Sequence, residues 1–366
     1  MQTLTGSYSP DDVVFLLKDL SDTSLERSLD EREEAIQGGV HYSEMLPIEY
    51  EPTEAYMHLF YESLQMSKQK VATGIGVVSE LLMEKKGKDL VLVSLARGGT
   101  PIGILMKRYF KSIYNVDVPH YSVSIIRGRG IDENALLHIA RLHPDKRIAF
   151  IDGWTGKGAI SKELTRSVKS FEEKHGITLD DELIVLADPG HCASLYGTRE
   201  DFLIPSACLN STVSGLISRT VLNSRWIGEM DFHGAKVYSE LRNKDVSNHY
   251  IDVITAEFEA AAPFIEATKV ALKETDMTPT WQGLQTIELI REHYGIEDMN
   301  LIKPGVGETT RVLLRRLPWK ILVKDLNDAR LQPIFQLAKE RDVPVEVYEQ
   351  MTYTCCGLIK PLERKV

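Results

Sequence analysis

Three short stretches carry residue types that could grip an anion. In Ser94–Gly103, Arg97, Gly98, Gly99 and Thr100 follow an apolar run and precede a helix with Pro101 in its first turn. Two glycines let backbone amides approach an anion, and the helix N-terminus points at the same place. In Asp152–Gly158, Thr155, Gly156, Lys157 and Gly158 again open a helix. Main-chain amides and the Thr155 hydroxyl could hold a phosphate there. Asp152 could accept ribose hydroxyls or hold Mg2+ through water. The third stretch, Arg127-Gly128-Arg129-Gly130, has the composition of a mobile basic loop. Each stretch has a plainer reading, as an ordinary tight turn or a solvated loop. A Walker A spacing and a GxGxxG fingerprint are both absent.

The elements that must position these loops are visible in the pattern from residue 89 onward. Leu90–Leu95, Tyr121–Ile126, Arg147–Ile151 and Leu183–Ala187 are apolar runs separated by helical stretches. That alternation predicts a doubly wound parallel α/β core over about residues 89–190, with ligands bound beyond the strands' carboxyl ends. Residues 1–88 read as a mostly helical region packing on the core, with helices over Asp11–Leu20 and Glu54–Lys86 and a loop between them. Residues 89–255 then form core and cap, and 256–284 a helix and linker. Residues 285–366 form a second α/β unit with helices Thr286–Tyr294, Glu308–Arg316 and Ala329–Arg341, and strands Leu301–Ile302, Lys320–Val323 and Val345–Tyr348.

The chain has 366 residues and a formal net charge of −10, so it is not a wholly basic nucleic-acid coat. No apolar run is long enough to span a membrane. The polar first ten residues lack the pattern of a secretory signal, and the cysteines form no spaced disulfide framework. The expected setting is the reduced cytoplasm. Cys355-Cys356 with His138 and His143 lacks zinc-ligand spacing.

Asp188, after the fourth strand, and the polar run Gly197–Asn210, with Arg199, Cys208 and Asn210, could line an acceptor pocket. Asp188-Pro189 could equally be a strand-ending turn. Tyr238, Glu240 and Arg242 could line the same cleft. Cys208 has His191 and His233 in its region, so a cysteine nucleophile with a histidine base is one reading. A buried, inert thiol is the other.

Residues 285–366 hold thirteen Lys+Arg against twelve Asp+Glu, beside a strongly acidic remainder. Lys303, Arg311, Arg315, Arg316, Lys320 and Lys324 cluster with one acidic residue, Glu308. The turn Lys303–Arg311, with Gly305, Gly307, Glu308 and Thr309, could meet a sugar-phosphate backbone with amides and Arg311. It could equally be a helix cap with a solvated basic face.

The segments Ala96–Gly99 and Ile148–Gly158 resemble the pyrophosphate loop and the 5-phosphoribosyl-1-pyrophosphate (PRPP) signature of type I phosphoribosyltransferases. With His41–Pro47, Ser124–Asn134, Gly197–Asp201 and Ile204–Asn210, the chain resembles the phosphoribosyltransferases of bacterial tellurium-resistance (Ter) stress gene clusters. Some members of that family carry a cysteine-protease label. The turn at Lys303–Arg311 resembles that of Pelota-type RNA-binding domains. The resemblance implies a type I phosphoribosyltransferase-like core and a C-terminal α/β/α Pelota-like domain that binds RNA. It implies transfer of phosphoribose from PRPP, with Mg2+, to a base-like acceptor, giving a nucleoside- or nucleotide-like metabolite in a stress response. Arg97, Gly98, Gly99 and Thr100 would hold pyrophosphate. Thr155, Gly156, Lys157 and Gly158 would hold the 5′-phosphate, Asp152 would orient ribose, and Arg127 and Arg129 would close over the site. The family signature has two adjacent acidic residues, whereas Gly153 follows Asp152 here. That difference favours a non-catalytic nucleotide or RNA sensor as an alternative, beside the Cys208 hydrolase.

Overall fold

A computed structural model describes residues 4–360. The chain enters through β1 (Val14–Phe15), β2 (Lys18–Asp19), β3 (Glu26–Arg27), α1 (Leu29–Gln37) and β4 (Leu46–Pro47). The helix expected over Asp11–Leu20 is therefore corrected to extended chain. Val14 and Phe15 pair in parallel with Tyr121 and Ser122, so sheet-edge hydrogen bonds override local helix preference. Next comes α2 (Glu54–Lys86), which coincides with the helix read from sequence.

The core follows as β5 (Leu90–Ala96), α3 (Thr100–Tyr114), β6 (His120–Ile126), β7 (Gly130–Ile131), α4 (Glu133–Leu142), β8 (Arg147–Trp154), α5 (Ala159–His175), β9 (Leu183–Ala187) and β10 (Leu195–Thr198). The order β1-β6-β5-β8-β9-β10 is parallel throughout, and β7 folds back antiparallel on β6. Side chains of β5 alternate between faces, as a strand's period of two requires. Leu90 and Leu92 join one core with Val71, Ile75, Val78 and Leu82 of α2. Val91, Val93 and Leu95 join another with Leu136 and Ile139 of α4 and Leu164, Val168 and Phe171 of α5. Each fully buried aliphatic side chain contributes about 1.5–3 kcal/mol. With helices on both faces, strands such as Leu90–Ala96 are apolar without interruption.

Residues 199–246 form an irregular cap with β11 (Gly234–Ala235). After it, α6 (Ser247–Ala256) and α7 (Phe258–Lys273) pack near α2. The C-terminal unit runs α8 (Gln282–His293), β12 (Ile302–Pro304), α9 (Val306–Arg315), β13 (Pro318–Val323), α10 (Gln332–Glu340), β14 (Val345–Val347) and β15 (Cys355–Ile359). Its sheet order is β12-β15-β13-β14. The central strand β15, carrying Cys355 and Cys356, has no counterpart in the sequence reading. No described helix is long and apolar enough to cross a membrane.

Candidate functional site

Strands β5 and β8 are parallel neighbours, with Ser94 beside Ile151, so the loops after them leave the sheet at one rim. Gly99 is pressed onto β8, where a Cβ would lie 2.3 Å from the Ile151 carbonyl oxygen. Only glycine permits that approach. Arg97, Gly98, Asp152, Trp154, Thr155, Gly156, Lys157 and Gly158 consequently line one cleft of about 440 Å³. Arg127 and Asn210 also border it. Opposite them stand Lys303, Glu308 and Arg311 of the C-terminal unit. An adjoining hollow of about 750 Å³ shares Arg97, Arg219, Lys303 and Arg311.

The cleft is crowded with positive charge. Burial, then the charges of Lys303 and Arg127, push the Lys157 ammonium down to about 8. Lys303 is lowered by burial and by Arg316 and Arg127, against the pull of Glu308. Arg97 is lowered by burial and by Arg311, and Arg219 is brought to about 10 by burial and by Arg32 and Arg97. Burial opposes ionisation of Glu308, yet Arg311 and Lys303 hold its carboxyl below the usual range. Asp152 is pushed up to about 7 by burial, with the Gly153 amide opposing. The cations are depressed by burial and by one another, so the cleft holds closely spaced positive charge with poor solvation.

A pH dependence follows. Above about 7 Asp152 adds negative charge, and above about 8 Lys157 loses positive charge. Both changes weaken anion binding. Sulfate affinity measured by calorimetry at fixed ionic strength should fall roughly tenfold or more between about pH 6 and pH 9. A flat or rising affinity would contradict this electrostatic account.

Several residues marked out by the sequence lie elsewhere. Thr100 is buried, its hydroxyl 2.8 Å from that of Ser122. Arg129 leaves the cleft to pair with Glu44 at 2.9 Å. Thr155 lines the cleft, but its hydroxyl donates to Asp188 Oδ1 at 2.5 Å. Asp188 is fully buried, accepts from the Cys192 and Ala193 amides and faces Arg199 at 3.6 Å, and neither lines the cleft. Thr309 is buried on the inner face of α9. His233 is also structural: its amide donates to Asp132 Oδ2 and its Nδ1 meets Ser124 Oγ at 2.9 Å. Tyr238 is buried outside the cleft.

The turn Lys303–Arg311 faces the core rather than open solvent. Gly305 has φ +86°, and its amide-bearing neighbour Val306 donates to Asp201 Oδ1 at 2.8 Å. Asp201 Oδ2 accepts from Thr354, so one buried carboxylate caps α9 from the other domain. Lys157 donates to the Met299 carbonyl at 2.5 Å, Arg311 to that of Ala207 at 3.0 Å, and the Tyr353 hydroxyl to that of Gly156 at 3.1 Å. Sequence reading missed Arg219 and Tyr353, and gave Asp201 no role. The acidic pair Glu200-Asp201 just after a strand was the only local signal for Asp201.

All four cysteines are free and buried. Cys192 is raised to about 12 by burial and Asp188, and burial likewise raises Cys355 and Cys356. Cys208 is 1% exposed, with its Sγ 3.6 Å from Ser63 Oγ. Its chain neighbours Ser206, Leu209 and Asn210 line the cleft, and the Cys192 thiol meets the Gly156 carbonyl there at 3.6 Å.

Fold and site thus define a parallel α/β protein joined across a cationic cleft to a Pelota-like domain. Residues 281–361 match the PELOTA RNA binding domain, and residues 6–255 match the family described as "Tellurite-like stress resistance cysteine protease StiP". The chain belongs to the StiP family. It is 34% identical over 359 residues to "Cysteine protease StiP" of Acinetobacter baylyi, covering 94% of this chain and 91% of that protein. These matches correct the phosphoribosyltransferase expectation, with its PRPP donor and base-like acceptor, because family and relative are both named as cysteine proteases. Glycine-rich loops after parallel strands do not by themselves fix a reaction.

Proposed function

We propose that this chain is a cysteine hydrolase of the protease class, acting in stress resistance in the cytoplasm and binding RNA through its C-terminal domain. Cys208 is its nucleophile. Membership of the StiP family carries this reading. The choice of Cys208 is supported by its place in the chain, between Ser206 and the pair Leu209 and Asn210, all of which line the cleft. The four free thiols fit a reducing compartment. We read the scaffold as phosphoribosyltransferase-like in architecture alone.

In this reading the Cys208 thiolate attacks a substrate carbonyl and the amine leaves with a proton. Water then releases the thioester as an acid and restores the thiol. Cys208 is 1% exposed and directly follows the turn Pro205–Ala207, so attack requires this segment to shift. Arg311 holds the turn through the Ala207 carbonyl, which ties it to the RNA-binding domain.

A limiting dose of iodoacetamide at neutral pH, followed by peptide mass mapping, should label Cys208 before the other three cysteines. Labelling of Cys208 no faster than Cys192 would remove the assignment. The second reading, a sensor without hydrolysis, is favoured by the 1% exposure of Cys208 and would then stand.

A further inference from the structure

Positive charge in the cleft far exceeds what the chain neutralises. Arg97 donates to the Ile217 carbonyl at 3.1 Å, Lys157 to that of Met299, and Arg219 to those of Tyr42 and Met45. Among the described residues, Lys303 has no side-chain hydrogen bond and none of these four has a carboxylate in salt-bridge range. Only Arg311 does, with Glu308 at 3.0 Å. Half-buried cations left without counter-charge are costly, and they are explained when an anionic ligand completes them.

Two of the five, Lys303 and Arg311, belong to the turn by which the C-terminal domain resembles RNA binders. That turn looks into the cleft, and Asp201 already occupies the amide end of α9. An RNA that reaches Lys303 and Arg311 lies beside Arg97 and Arg219, which line both hollows with them, and beside Lys157 where it enters the smaller one. The cleft and its neighbour, about 440 and 750 Å³, suit a nucleotide-sized occupant rather than a duplex. Trp154, whose ring lies 5.3 Å from the Arg311 guanidinium, offers an aromatic face on the same wall.

We propose that single-stranded RNA lies in the interdomain cleft with its phosphates on cations of both domains, so that core and C-terminal domain make one RNA site. This rests on the RNA-binding reading above. It goes further by placing the α/β core, and the turn bearing Cys208, against the strand.

The test uses the full chain and a fluorescent single strand of about twelve nucleotides in mixed sequence. Lys157→Gln in the core and Lys303→Gln in the C-terminal domain should each weaken binding roughly fivefold to tenfold. Each should also flatten the logarithmic salt slope by about 0.7. Lys339→Gln on exposed α10 should change neither. A 4-thiouridine strand should crosslink to Asp152–Gly158 as well as to Lys303–Arg311. If Lys303→Gln weakens binding but Lys157→Gln does not, and crosslinks stay in the C-terminal domain, the shared site is overturned while RNA binding stands. If the duplex binds more tightly, or a free nucleoside 5′-monophosphate matches the strand, the proposal also fails. If the unmodified chain binds no strand, the RNA reading itself falls with it.

Discussion

Asp188→Ala should destabilise the core domain by about 3–5 kcal/mol, the cost of breaking a buried ionic network by removing one member. Its Oδ1 accepts from the Thr155 hydroxyl and from the amides of Cys192 and Ala193, at 2.5, 2.8 and 3.2 Å. Removing the carboxylate strands three buried donors and leaves Arg199 without its counter-charge. Unpaired buried donors cost about 1–3 kcal/mol each, and partial relaxation keeps the sum below simple addition. Asp188→Asn, which keeps one acceptor oxygen, should lose less. Urea denaturation followed by fluorescence measures both. A loss under about 1 kcal/mol for the alanine variant would mean that the network does not hold the loop.

Asp201→Ala has the second largest expected effect, and it acts between domains. Asp201 caps the N-terminus of α9 through Val306 and accepts from Thr354, while its own carbonyl accepts from the Thr354 hydroxyl. The carboxyl is raised by burial, and these amides oppose that shift. Its loss removes two side-chain bonds between the domains, one of them the cap of α9, together about 2–4 kcal/mol. Domain docking should loosen before either domain unfolds. Calorimetry should resolve two transitions in place of one, and limited proteolysis should cut between α7 and α8. A single unchanged transition would show that other contacts carry the interface.

What could be read from the sequence follows from the range of the forces involved. The strand Leu183–Ala187 and helix Glu54–Lys86 were legible to the residue, because continuous apolar runs and long helical periodicity are local signals. The strand Val14–Phe15 was not. Its pairing with β6 lies more than a hundred residues away in sequence, and its acidic lead-in suited a helix. The convergence of Arg97 with Asp152–Gly158 could be read because parallel strands place their following loops at one rim. The inward face of Lys303–Arg311 could not be read, since it depends on Asp201 meeting Val306 across the chain. Neither could the engagement of Thr155 by Asp188, which needs the turn Asp188–Cys192 folded back onto the β8 loop. The reaction was misjudged for a related reason. Glycine-rich loops are written locally, whereas Cys208, the proposed nucleophile, is placed by tertiary packing.

Hydrolysis by Cys208 beside the interdomain cleft is tested most directly by peptide-bond cleavage of a denatured protein substrate by the unmodified chain, Cys208→Ala and Cys192→Ala, with folding checked by circular dichroism. The account predicts cleavage by the unmodified chain and by Cys192→Ala, and a loss of at least about a hundredfold in Cys208→Ala. Equal cleavage by Cys208→Ala, or none by the folded unmodified chain with or without single-stranded RNA, would contradict it.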